Sequence, residues 1–253
     1  MKITAVIPAR LESTRFPRKI LADIDGKPML WHVWSRVMQA QRINEAIVAT
    51  DSEEVLEIVN QWGGYALMTS PACSSGTDRI ASLLPMIPSD YIINIQGDEP
   101  LIDPLLIDAL ADRCFSGNSE LVTAVYPLAS LDELTNTAIV KVVRNASGRA
   151  IYFSRQTVPY VRDHCLDQWL QQSCFWGHVG IYAYQREILS QFPAMPVSQL
   201  ESAEKLEQLR FIEAGYQFDV VETSYHPYAV DYPADISRVL AQFPQVSGIS
   251  NKG

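Results

Sequence analysis

The feature that most constrains this chain is an alternation of short apolar runs and amphipathic stretches over its first hundred residues. The runs are "ITAVIP" (3–8), "AIVAT" (46–50), "YALMT" (65–69) and "YIINI" (91–95). The first and last are almost wholly apolar, as strands covered on both faces are. Between the runs, Leu30, Val33, Trp34, Val37 and Met38 recur at helical spacing and predict a helix near 28–41. "SEEVLEIVNQW" predicts a second helix, with Thr50 and Glu53 at capping-box spacing, and "SGTDRIASLL" opens a third. This β-α-β-α-β-α-β order defines an α/β fold with a mostly parallel, doubly wound sheet. Ligands of such sheets sit beyond the carboxyl ends of the strands.

The second half is less regular. "LVTAVYPL", "AIVKVV", "AIYFS" and "GHVGIYAY" read as strands, and "AEKLEQLRFIEAG" as one helix ending at Gly215. No linker is evident, so the chain reads as a single domain over 1–253, with a small accessory lobe at about 123–180. The polar tail "SGISNKG" is expected to fray.

Charge makes one segment stand out. The chain carries 20 Lys+Arg against 29 Asp+Glu, a net charge of −9, which argues against a general nucleic-acid or anionic-membrane surface. Yet "VIPARLESTRFPRKIL" places Arg10, Arg15, Arg18 and Lys19 directly after the first strand. The loop lacks G-x-x-x-x-G-K-[ST] and G-x-G-x-x-G, so it is neither a Walker loop nor a dinucleotide fingerprint. A strand-to-helix loop rich in cations is nevertheless suited to a polyphosphate, Arg by bidentate contact and Lys as a point charge. The competing reading is a solvated charge cluster.

Two acidic positions complement it. In "IQGDEP", Asp98 follows a buried strand, where it can hold Mg²⁺ together with phosphate oxygens or cap the helix beginning near Pro100 or Pro104. In "AVDYPADI", Asp231 lies before a Pro-initiated helix and taken alone reads as a cap. "SSGTDR" combines small residues that admit a ligand with the cation of Arg79, and Ser75 or Thr77 can cap the helix there. Cys73, Cys114, Cys165 and Cys174 have no C-x-x-C spacing and read as reduced thiols of a cytoplasmic protein, and the four histidines show no zinc-ligand spacing. No run is long enough to span a membrane, and the N-terminus lacks the shape of a signal peptide.

Taken in order, "IPAR" with "STRFPRK", "KPMLWHV", "ATDSEEV", "MTSP" with "SGTDR", "NIQGDEPLI", "IVKVV", "YFSRQTVPY", "GIYAY" and "EKLEQLR" resemble the CMP-Kdo synthetases, the 3-deoxy-manno-octulosonate cytidylyltransferases, over about residues 3–240. The resemblance implies a nucleotidyltransferase-type sheet with a smaller dimerisation lobe. It also implies a CTP-dependent activation of a Kdo-type sugar acid to CMP-sugar and pyrophosphate, for lipopolysaccharide biosynthesis, by a cytoplasmic homodimer. It assigns Ala9, Arg10, Arg15, Lys19, Ser75, Gly76 and Gln96 to the nucleotide, with Arg10, Lys19 and Asp98 as catalytic groups. Arg79, Gln96, His178, Tyr184, Glu207 and Gln208 fall to the sugar, and Asp98 and Asp231 to Mg²⁺.

The chain departs from the family pattern at Arg18 and Ile20, where "LPGKP" is usual, at Gly177, where Arg usually precedes the His, and in "PYAVDYPADI" for "GTGVDTPEDL". A cation lost at 177 raises the alternative that the substrate is the 8-amino analogue of Kdo. Two further alternatives are a nucleotide-sugar glycosyltransferase, disfavoured because "GDE" is no D-x-D motif, and a non-catalytic nucleotide-binding subunit on the same fold.

Overall fold

The computed structural model of the chain describes residues 1–116 and 119–243; the expected frayed tail lies outside the described residues. Eleven strands occur among them: β1 (Ile3–Ala9), β2 (Asp23–Ile24), β3 (Lys27–Pro28), β4 (Glu45–Thr50), β5 (Tyr65–Met68), β6 (Tyr91–Asn94), β7 (Leu121–Pro127), β8 (Lys141–Arg144), β9 (Arg149–Ser154), β10 (Trp176–Gln185) and β11 (Phe218–Glu222). The helices are α1 (Met29–Val37), α2 (Glu53–Gln61), α3 (Gly76–Ser82), α4 (Pro104–Ser116), α5 (Leu131–Thr135), α6 (Trp169–Gln172), α7 (Arg186–Leu189), α8 (Gln199–Glu204), α9 (Gln208–Glu213) and α10 (Asp235–Leu240).

Nine strands form one sheet in the order β5-β4-β1-β6-β10-β7-β11-β9-β8. Its first four strands are parallel, as the apolar runs predict. Beyond β6 the sheet becomes mixed: β10 runs antiparallel to both β6 and β7, β11 is parallel to β7, and β9 and β8 return antiparallel. Within the span 123–180, β7 and β10 therefore lie inside the sheet, and the β8–β9 hairpin forms its edge.

Alternation along β1 explains the two wound faces. Ile3, Ala5, Ile7 and Ala9 face a core with α1, α2 and α4, while Val6 joins Ile47, Ile80 and Leu209 on the other side. From β1 the chain steps outward to β4 and β5 and then returns to the opposite flank at β6. That reversal opens a crevice at the carboxyl ends of β1 and β6, where the basic loop and "QGDE" both begin.

Three local expectations change. Helix α2 is capped by Ser52, whose hydroxyl accepts from the Val55 N–H; Thr50 stays in β4, paired with Met68 and Ala9. The single helix expected over 203–215 is two, because Lys205 takes a left-handed conformation (φ 54°) between α8 and α9. Strand β11, which the sequence reading missed, exists by pairing with β7 and β9.

Candidate active site

A cavity of about 410 Å³ occupies this crevice. Its walls come from the loop after β1 (Arg10, Arg15, Lys19), the approach to α3 (Cys73 to Gly76, and Arg79), the loop after β6 (Gln96, Gly97, Asp98) and Glu207. Gly97 lets the first and third of these approach: a Cβ there would stand 2.9 Å from the Pro8 carbonyl oxygen. Ser75 caps α3, accepting from the Asp78 N–H at 3.2 Å, as one of the two expected caps.

The cations are not equivalent. Arg10, Arg15 and Lys19 line the cavity, whereas Arg18 does not. Arg18 occupies the left-handed region (φ 57°), at the position where the family pattern has Gly, and its guanidinium meets Glu54 of α2 at 2.5 Å. Three of the loop's four cations thus face the crevice.

Asp98 and Asp231, far apart in the chain, converge on Lys19. Its ammonium lies 2.6 Å from Asp98 and 3.6 Å from Asp231, and Arg15 holds Asp231 at 2.8 Å. The Val230 N–H donates to the Asp98 carbonyl at 3.0 Å and fixes the two loops side by side. Neither carboxylate is a cap. Asp103 accepts from the Leu105 N–H at the start of α4, and Asp235 accepts from the N–H groups of Asp231 and Tyr232, both at 2.9 Å. The cap reading of both aspartates is thereby replaced by one of charge pairing.

Among the described residues no group of three or more His, Cys, Asp or Glu side chains forms a metal cluster. Two carboxylates gathered around one ammonium are still a fitting donor set for Mg²⁺, which takes one or two carboxylates and completes its shell with phosphate oxygens and water.

The expected sugar set divides. Arg79, Gln96 and Glu207 line the cavity; His178, Tyr184 and Gln208 do not, and neither does Ala9, which is buried in β1. Arg79 is itself committed: it is 3% exposed, pairs with Asp51 at 2.8 Å and bonds the Thr69 hydroxyl. Burial raises the pKa of Glu207, and the nearby Thr77 and Ser75 hydroxyls act in the opposite direction. Tyr184 is buried near Thr77 and Asn94, and its pKa is raised by the same cause. Gln208 is buried with its Nε2 unpartnered, an unmet donor next in sequence to Glu207. His178 bonds the Thr123 hydroxyl at 2.9 Å and packs edge-on to Phe153. Burial lowers its pKa to about 3, so the ring is neutral at neutral pH.

Asp51 was missed. Its second oxygen accepts from the Leu11 N–H at 3.2 Å, so the Asp51–Arg79 pair anchors the start of the basic loop. The available signal was the one that singled out Asp98: a carboxylate directly after an apolar strand.

A cationic loop and strand-end carboxylates at the switch point of a mixed α/β sheet define the nucleotidyltransferase class. An inositol-1-phosphate CTP transferase from T. maritima shares this fold at a TM-score of 0.67, with 14% identity over 96% of both chains. The chain belongs to the cytidylyltransferase family, whose model matches residues 4–221. It is 46% identical to the 3-deoxy-manno-octulosonate cytidylyltransferase of Geotalea daltonii over 248 residues, 95% of this chain and 97% of that one. A solved CMP:2-keto-3-deoxy-manno-octonic acid synthetase complexed with CTP superposes at a TM-score of 0.90, with 38% identity, covering 97% of this chain and 99% of the other.

Proposed function

We propose that this chain couples CTP to 3-deoxy-manno-octulosonate (Kdo), releasing pyrophosphate and forming the CMP-sugar used in lipopolysaccharide biosynthesis. The observation that carries this reading is Lys19 held between Asp98 and Asp231 at a cavity lined by Arg10 and Arg15. Relatives and solved neighbour bear the corresponding names over almost the whole chain.

The anomeric hydroxyl of the sugar attacks the α-phosphorus of CTP. The bond to the β-phosphate oxygen breaks in line, and the hydroxyl proton is lost to solvent. Such transfers gain mainly from positioning and charge stabilisation. Arg10, Arg15 and Lys19 bind the triphosphate, and Arg10 and Lys19 stabilise the charge that collects on departing pyrophosphate. Ser75, Gly76 and Gln96 face the nucleotide, and Glu207 holds the sugar from the opposite wall. Asp98 and Asp231 would hold Mg²⁺, which would supply Lewis-acid polarisation of the α-phosphate and lower the pKa of the attacking hydroxyl.

The 8-amino analogue gains no support at position 177. A Cβ there would lie 2.6–2.8 Å from atoms of Tyr126 and Leu128, so the lost cation is not a lost part of the cavity wall. A soluble homodimer in the cytoplasm completes the reading. Exposed Ile151, Tyr160 and Leu166 in the 123–180 span offer it apolar surface, and light scattering at two protein concentrations tests it.

Pyrophosphate release from CTP, with and without Kdo and Mg²⁺, is the test of function. Release should require all three, and Kdo should outcompete its 8-amino analogue in kcat/KM. Release without any sugar acid, or none with either, overturns the reading.

A further inference from the structure

Beside Asp98 stands a carboxyl group that the reaction does not use. Glu99 is 8% exposed and does not line the cavity. One of its oxygens accepts two bonds from the segment that carries Asp231: the Tyr225 hydroxyl at 3.0 Å and the Tyr228 N–H at 3.1 Å. The latter spans 129 residues of chain. Together with the bond from the Val230 N–H to the Asp98 carbonyl, these contacts join the loop after β6 to the loop before α10 at three points. Glu99, Tyr228 and Val230 lie within three residues of one of the two aspartates, and Tyr225 lies six residues before Asp231.

The geometry points to Glu99 as a positioning residue, a staple that holds Asp231 at the distance from Asp98 needed for one cation to be shared between them. It rests on the proposed reaction, since the shared cation is the one that accompanies CTP. The physical reason is specific. Asp98 and Asp231 both carry negative charge and sit on different loops, so without a ligand they repel across the crevice. Lys19 offsets this in the free protein, but the same ammonium is needed by the triphosphate. A tie that does not depend on Lys19 keeps the carboxylates in register while that exchange happens. Glu99 supplies it through a backbone N–H and a part-buried phenol, neither of which lines the cavity. Supports of this kind behind a metal ligand change metal affinity by about 10–100-fold when removed.

The test measures Mn²⁺ affinity by electron paramagnetic resonance, in the presence of CTP and the absence of sugar, beside the Mg²⁺ concentration for half-maximal pyrophosphate release. Glu99→Ala should weaken Mn²⁺ binding by about tenfold or more. It should raise the Mg²⁺ requirement in parallel and leave kcat at saturating Mg²⁺ largely recovered. Glu99→Gln keeps an oxygen that accepts both donors and should stay close to wild type. Tyr225→Phe, which removes one donor without a cavity, should fall between them and serves alone if the alanine variant does not fold. Unchanged Mn²⁺ affinity in Tyr225→Phe, with a lowered melting temperature, would make the contact purely structural and overturn the proposal. So would a Glu99→Gln variant with metal binding as weak as that of the alanine, since Glu99 would then be a direct ligand. Wild type run in parallel separates the two failures: if it shows no Mg²⁺-dependent release with CTP and Kdo, the reaction assigned to the site is at fault rather than the staple.

Discussion

The two walls of the cavity are built by opposite means. On the side of the basic loop, Lys19, Arg15 and Asp98 line the cavity and Asp231, outside that lining, pairs with Lys19 and Arg15; these ion pairs are partly exposed, with side chains from 12% exposed at Lys19 to 57% at Arg15. On the side of Glu207, that carboxyl is part-buried, and the polar residues nearest to it, Tyr184 and Gln208, are buried outside the cavity lining. Partly exposed ion pairs contribute only about 0–1 kcal/mol each, so a triphosphate and its cation can replace them at small cost. Buried hydrogen bonds do not exchange so freely, because an unpaired partner costs about 1–3 kcal/mol. The first wall is therefore suited to a charge swap and the second to a fixed shape.

The strongest blow to the phosphate wall is Asp98→Asn. Losing several kcal/mol of transition-state stabilisation should lower kcat about a thousandfold, with CTP binding weakened but measurable. A variant with near wild-type kcat would remove Asp98 from the chemistry.

Asp231→Asn should cut kcat by about tenfold, or about 1.4 kcal/mol, and raise the Mg²⁺ requirement without moving the melting temperature. Asp235→Asn should do the reverse, since Asp235 rather than Asp231 accepts the turn's N–H groups. Swapped phenotypes would reassign the two residues.

The fixed wall is probed by Glu207→Gln. The sugar KM should rise roughly tenfold, the low end of a charged hydrogen bond at ~1.5 kcal/mol, while the CTP KM stays put. A rise in the CTP KM instead would erase the distinction between the walls.

The smallest effect concerns pH. His178 has a folded pKa of about 3 against about 6.5 when unfolded. Between those values the unfolded chain binds the proton and the folded one does not. The stability due to neutral His178 is thus complete above pH 6.5 and declines as pH falls. The melting temperature of His178→Phe should fall less steeply than that of wild type from pH 6.5 to 5. Parallel slopes would mean that the ring takes up its proton in the folded state.

Sequence alone carried the parallel half and its cavity. Strands buried on both faces must be apolar throughout, so β1, β4 and β6 were visible, and with them the positions of Arg10, Lys19 and Asp98 at strand ends. The mixed half was harder to read. In β11, "FDVVE" is short and carries two acidic residues; it is a strand because β7 and β9 supply its hydrogen bonds. Lys205 breaks a helical pattern that its own neighbours favour, because the chain must turn for α9 to pack against Tyr184 and Phe218.

The order of residues carries local information: where apolar periodicity changes, which loop gathers cations, and which carboxylate follows a buried strand. These follow from interactions between near neighbours in the chain. Only the tertiary structure decided which charges meet. Arg15 and Asp231 are 216 residues apart and Lys19 and Asp98 are 79 apart, and no periodicity connects such positions. It turned Arg18 toward Glu54 through a left-handed backbone, gave the N–H groups of the turn before the last helix to Asp235, and left His178 neutral against Thr123. Each outcome depends on the field and solvent exposure that the packed sheet creates at one point, and these exist only once the distant segments have come together.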